Sequence, residues 1–316
     1  MSSDNGLLSL DIDQVLVMIF NSFNQALKGA VSFFTTLLGI CILTIGMSLI
    51  AFDERKSKFL EISILSMFAA LIFSYIRPMI YSIRDALCSL LDFTELLTPI
   101  LSGVMLAYGN HNSAISGALG MNIVTTLIAF ISKSLLLPLS FLQFSFAMIS
   151  PISENEATRI SKWIKNVFVS VFAILSTLLF SSLAVQNVMA SSLDGIYLKT
   201  AKQALSGMIP VVGSTISASL SSLMGAFTYV KGTVGTLSIA FILSLFLPIF
   251  FALLFLRFAI SFSSTFMDFA SIGAGVRLFN SFLAGVDTLM SIFVLSFLSS
   301  FFALVFFMKG GAQVFG

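Results

Sequence analysis

The chain has 316 residues, of which 58% are hydrophobic and only 9% charged, with a formal net charge of +2 and a mean hydropathy of +1.06. A soluble domain carries roughly 25% charge, so water is not the main solvent here, and no soluble catalytic domain fits between the apolar segments. The near-neutral balance, with no long basic run, excludes nucleic acid and leaves membrane lipid as the expected surroundings.

The runs 29–52, 96–132, 134–153, 166–193, 203–230, 232–256 and 288–308 contain no Asp, Glu, Lys or Arg. Each reaches the about 20 residues that a helix needs to cross the hydrocarbon of a bilayer. The expected fold is therefore all-α: a polytopic transmembrane helix bundle of about seven or eight membrane segments, with proline-broken or re-entrant helices.

In chain order, 1–30 reads as an amphipathic N-terminal helix. Ile12, Val15, Leu16, Ile19, Phe20, Phe23 and Leu27 recur at helical spacing, with Asp11, Asp13, Gln14, Asn21, Asn24 and Gln25 opposite. Such a helix lies at an interface or against a partner. Residues 31–83 form a two-helix membrane hairpin around the basic cluster at 53–58, which the positive-inside tendency places in the cytoplasm. Arg77-Pro78 falls near the far end of the second span, and the acidic amphipathic piece 84–95 is expected to lie outside.

Residues 84–190 and 191–316 read as two repeat-like membrane units. Leu97-Thr98-Pro99 parallels Met208-Ile209-Pro210, and Leu137-Pro138 parallels Leu247-Pro248, each pair about 110 residues apart, the layout of broken helices in transporter-like repeats. In the first unit, Gly109, Asn110, His111 and Asn112 interrupt 96–132 as a turn. Residues 154–165, with Arg159, Lys162 and Lys165, read as a second cytoplasmic loop with Trp163 at the interface. In the second unit, 194–202 reads as an amphipathic connector, and 258–286 is broken by Asp268, Gly273, Gly275 and Arg277.

Three groups of residues could carry chemistry. Pro99, Ser102 and Gly103, together with Pro210, Gly213, Ser214, Thr215 and Ser217, mark helix breaks with small hydroxylated walls. Such walls allow close helix packing and, alternatively, line a polar path. Asn110, His111 and Asn112 form a polar turn, and the lone histidine has no partners for a metal or a proton relay. Arg257, Asp268, Arg277 and Asp287 punctuate apolar sequence. At mid-bilayer each would cost at least about 2.5 kcal/mol unpaired, so they are expected at helix ends or as intramembrane Arg–Asp pairs. Cys41 and Cys88 offer neither metal spacing nor a disulfide framework. No catalytic motif, metal site or cofactor site is legible, and the chain is expected not to be an enzyme.

In the second unit, Lys199-Thr200-Ala201-Lys202, Ile209-Pro210-Val211-Val212-Gly213 and Val230-Lys231-Gly232-Thr233-Val234-Gly235 occur in order, after the Thr98-Pro99 stretch and the Leu137-Pro138 helix. From about residue 90 onward the sequence resembles the stage III sporulation protein AE family. The resemblance implies a permease-like, multi-pass protein of the mother-cell membrane around the forespore in endospore-forming bacteria. It also implies partners: other stage III sporulation A-operon proteins including an ATPase subunit, and a forespore membrane protein, together in a trans-envelope channel or feeding complex. A homo-oligomer is compatible with that role. Members generally begin with a longer region that includes a secretory-type segment, so this sequence reads as a short member or an incomplete start. The alternatives are a stand-alone secondary transporter of a small solute and a non-conducting membrane scaffold.

Overall fold

Apolar side chains three and four residues apart run through the charge-free stretches, and hydrocarbon gives exposed backbone no hydrogen-bond partner, so helix is the conformation available to them. A computed structural model describes residues 12–50, 54–107, 110–153, 155–208 and 213–309, and no side chain between 186 and 233 is among those described. Among the described residues all regular secondary structure is helical. The helices in order are α1 (Ile12–Ile50), α2 (Glu54–Ala107), α3 (His111–Phe130), α4 (Leu136–Ile149), α5 (Glu156–Met208), α6 (Gly213–Phe269) and α7 (Gly273–Lys309). Among the described residues six stretches are long and apolar enough to cross a membrane: Ile19–Gly46, Glu61–Ala107, His111–Ile149, Glu156–Leu179, Leu237–Phe269 and Gly273–Val305.

Several expected boundaries are internal to longer helices. The amphipathic N-terminal stretch and the first span are one helix, α1, whose Phe23 and Phe34 pack on Phe255 and Phe262 of α6 at ring separations of 5.3 Å each. The piece at 84–95, expected as a separate outer segment, is the middle of the 54-residue α2. Its Ile83, Leu87, Leu90, Leu91 and Thr94 continue a buried face that runs from Leu65 to Met105, and that face keeps the helix intact despite the charges beside it. Pro78 and Pro99 lie inside α2 without ending it, as is tolerated where neighbouring helices support the backbone. The stretch 194–202, expected as a connector, is backbone of the continuous α5.

Breaks occur where turn-forming residues dominate. Helix α2 ends at Ala107 and α3 starts at His111, so the Asn110–Asn112 region turns a hairpin. Across this hairpin Thr125 reaches Thr94 at 3.4 Å. Between α3 and α4 a π-helical turn spans Ile131–Leu135, with the Leu136 N–H reaching back to the Ile131 carbonyl. Pro138 lacks the N–H that would bond the Ser134 carbonyl, and widening the turn upstream is one way a helix absorbs that loss. Of the two proline pairs, Pro138 and Pro248 both sit within long helical stretches, whereas Pro210 lies outside the described residues.

Helix α7 is the hub. In its most apolar stretch 56% of residues are buried, against at most 33% in the other five candidate spans, and it packs on α2, α3, α4, α5 and α6. Glycine makes two of these contacts close. A Cβ on Gly285 would stand 2.6 Å from the Phe144 ring of α4, and one on Gly117 would overlap the Phe307 ring. Phe246 of α6 stacks on Phe293 at 5.5 Å and tilts against Phe297 at 5.2 Å.

The α6–α7 turn is a Schellman motif. The Ile272 N–H bonds the Met267 carbonyl at 3.0 Å, the Ser271 N–H bonds that of Asp268 at 2.9 Å, and Met267 and Ile272 are both buried. The left-handed position is filled by Ser271, with φ 59°, where glycine carries no steric cost. Ser271→Gly is expected to stabilise the protein by roughly 1 kcal/mol. Gly285→Ala should destabilise it by about 1–3 kcal/mol through the Phe144 overlap. Thermal unfolding in detergent checks both, and no upward shift for Ser271→Gly would contradict the turn geometry.

Candidate functional site

Helix α7 directs polar side chains at its neighbours along its N-terminal half: Arg277 toward the α4–α5 loop, Ser281 toward α5, and Asp287 toward both α5 and α6. Asp287 is the most connected. Its Oδ1 accepts from Arg257 Nε of α6 at 2.6 Å and its Oδ2 from Lys165 Nζ of α5 at 2.8 Å. The Asp287 side chain is 15% exposed, whereas those of Lys165 and Arg257 are 32% and 50% exposed. Both carboxylate oxygens are occupied and two cations share one anion, so the cluster is net positive. Its geometry suits a joint between three helices rather than a free base.

The three charges share a position in the sequence pattern. Lys165 immediately precedes the uncharged run 166–193, Arg257 immediately follows 232–256, and Asp287 immediately precedes 288–308. The fold brings these three boundaries together at one height. An ion-paired cluster there lets the apolar halves of α5, α6 and α7 enter hydrocarbon side by side without an unpaired charge among them.

Toward the α6–α7 turn the α5–α7 seam continues. Ser281 Oγ donates to Thr158 Oγ1 at 2.9 Å, and Thr158 Oγ1 approaches the Arg277 carbonyl at 3.4 Å. The Arg277 Nη2 reaches the Pro151 carbonyl at 3.5 Å, and Gln143 Nε2 of α4 donates to the Ser161 carbonyl at 3.2 Å. Arg277 Nε and the hydroxyls of Ser153 and Ser161 are buried with no partner. This end of the bundle therefore gathers polar groups from four separate segments. Interhelical hydrogen bonds of this kind contribute on average about 0.6 kcal/mol each.

Of the four charges singled out in the sequence, Arg257 and Asp287 meet directly. Arg277 turns instead to the α4–α5 loop, and Asp268 is exposed in the last turn of α6. Sequence reasoning missed Lys165, which it placed in a solvated loop, and Thr158, Ser281 and Gln143. The abutment of Lys165 on an uncharged run was the available signal.

The residues expected at helix breaks are dispersed. Pro99 and Gly103 are exposed on α2, and Ser102 is half-buried with its hydroxyl on the Pro99 carbonyl at 3.2 Å. Asn110 is buried in the α2–α3 turn with its Oδ1 unpartnered, and His111 is exposed at the start of α3. Asn112 follows it in the first turn of α3. Pro210 lies outside the described residues, and Gly213, Ser214, Thr215 and Ser217 belong to the start of α6, where side chains are not described. Among the described residues no group of three or more His, Cys, Asp and Glu could hold a metal ion.

Asp287→Asn is expected to cost about 2 kcal/mol, because it leaves two cations without their anion. Lys165→Met or Arg257→Met should each cost less, since Asp287 keeps the other partner. Unfolding of the three variants in detergent tests this order, and an Asp287→Asn variant as stable as the parent would contradict it.

The family model described as stage III sporulation protein AE matches residues 1–310. The stage III sporulation protein AE of Bacillus subtilis (strain 168) is 25% identical over 163 residues, which is 50% of this chain and 40% of that protein. The chain thus matches well under two thirds of this relative's length. No solved structure matches it. With a family model covering nearly its whole length, and six helices among its described residues fit to cross a bilayer, the chain belongs to the stage III sporulation protein AE family.

Proposed function

We propose that this protein is a membrane-embedded, non-enzymatic subunit of a trans-envelope channel or feeding complex between mother cell and forespore. The observation that carries the reading is the family match from residue 1 to 310 on a chain with six long apolar helices among its described residues. In this reading it resides in the mother-cell membrane, beside other proteins of the stage III sporulation A operon and a forespore membrane partner. An ATPase subunit supplies the energy, since the sequence contains no nucleotide-binding motif of its own.

A permease-like role requires polar surface within the apolar layer. On helix α2, Ser102 supplies one hydroxyl beside the outward-facing Pro99 and Gly103, whose small size leaves room for a path, on the side opposite the buried Leu97, Leu101 and Met105. A Cβ on Gly103 would meet nothing within 4 Å, so a larger side chain there fits without disturbing the fold.

Two experiments test the reading. Affinity recovery from sporulating-cell membranes should yield the chain together with partner proteins; recovery alone, with solute uptake by the purified chain in liposomes, would support a stand-alone transporter instead. Gly103→Ile should preserve that co-recovery yet lower spore formation about tenfold or more, as a narrowed path would. Unchanged spore formation with intact assembly would favour a non-conducting scaffold.

A further inference from the structure

Helix α2 has two distinct, adjoining faces. Ile80, Ile83, Leu87, Leu90, Leu91 and Thr94 are buried against the bundle. On the adjoining side Arg77, Asp85, Asp92 and Glu95 are exposed, and Arg84 and Cys88 are half-buried. At 100° per residue these six positions fall within about a quarter of the helix circumference. From Arg77 to Glu95 the stripe runs about 27 Å, close to the thickness of a bilayer's hydrocarbon core. Among the described residues none of its charges is ion-paired, and Arg84 Nε is buried without a partner.

The stripe stands beside membrane-type sequence. Pro78 and Met79 share a cavity of about 400 Å³ with Pro248 and Ile249 of α6, and Phe93 stacks on Phe241 at 4.4 Å. Both α6 contacts lie within the uncharged run 232–256. The charges on α2 are therefore level with the part of α6 best suited to hydrocarbon. Facing lipid, five unpaired charges would be prohibitive, so this face needs water or a polar covering.

We propose that the outer face of α2 from Arg77 to Glu95 lines an aqueous path shared between copies of this chain. The order of the charges favours a shared lumen over a dry seam. The basic residues Arg77 and Arg84 occupy one end, and Asp85, Asp92 and Glu95 the other. Copies inserted in one orientation are related by an axis along the membrane normal. Each residue then faces its own equivalent, arginine against arginine and carboxylate against carboxylate. Like charges repel across a dry contact but are accommodated as rings around water. The stripe continues toward Pro99 and Ser102, so the proposal deepens the channel reading and rests on it for its setting.

Cys88 is a native probe at the middle of the stripe. The thiolate, which needs water to form, is the reactive species. In the Cys41→Ser chain, in sporulating-cell membranes, Cys88 is expected to react with a charged methanethiosulfonate reagent. It should do so about tenfold or more faster than a cysteine placed at Leu178 in a chain lacking both native cysteines, since Leu178 is 63% exposed on the apolar face of α5. Crosslinking of the same membranes should yield multimers of the chain.

Cys88 reacting as slowly as the Leu178 probe would overturn the proposal by showing that the stripe meets lipid. Fast reaction in a single-copy particle would overturn the shared lumen. Fast reaction only when partner proteins are absent would make the stripe a partner contact and overturn the proposal too. Co-recovery with partners is scored separately, so membership of a complex stands or falls apart from the stripe.

Discussion

Hydrocarbon offers polar groups no hydrogen-bond partner, and the helices here are arranged to satisfy that demand from within. Helix α7 is where most of it is met. It is the most buried of the candidate spans, and it carries Ser281 against α5, Asp287 against α5 and α6, and Arg277 against the α4–α5 loop. Other serines, on α6 and on α7 itself, bond to their own backbone one turn back, as Ser263, Ser296 and Ser299 do, and so need no partner helix. Asp287 cannot do this. Its charge requires cations, and the two helices that provide them also have to cross the membrane.

The consequence is a fixed height. Three uncharged runs begin or end at Lys165, Arg257 and Asp287, and the ion pairs tie those limits together. Sliding any one of the three helices by a turn would carry a charge into the apolar layer, at about 2.5–3.5 kcal/mol on insertion scales. The cluster thus sets the register of α5, α6 and α7, and close packing at Gly285 and Gly117 sets that of α7 against α3 and α4.

Much of the helical character was legible in the sequence, because an apolar stretch of about 20 residues without charge has the length and chemistry of a membrane-crossing helix. The hairpin around Asn110–Asn112 and the break between Asp268 and Gly273 were legible too, since Gly, Asn and Asp favour turns over helix. Less legible was the continuity of α2. Charges at 84–95 suggested a segment outside the membrane, whereas the deciding pattern was the buried row from Ile80 to Leu101 on the adjoining face. Lys165 was hidden for a related reason: a lysine next to Arg159 and Lys162 resembles a solvated loop until its distant carboxylate is known. A contact between residues 122 positions apart leaves no trace in local composition.

The most direct test of this arrangement is the seam between α5 and α7, where Thr158 and Ser281 meet at 2.9 Å although 123 residues separate them. With Cys41 and Cys88 replaced by serine, cysteines at 158 and 281 should join as a disulfide under mild oxidation in native membranes, with a shifted electrophoretic mobility that reductant reverses. No disulfide there, in a chain that still inserts and accumulates normally, would contradict the placement of α7 at the centre of the bundle.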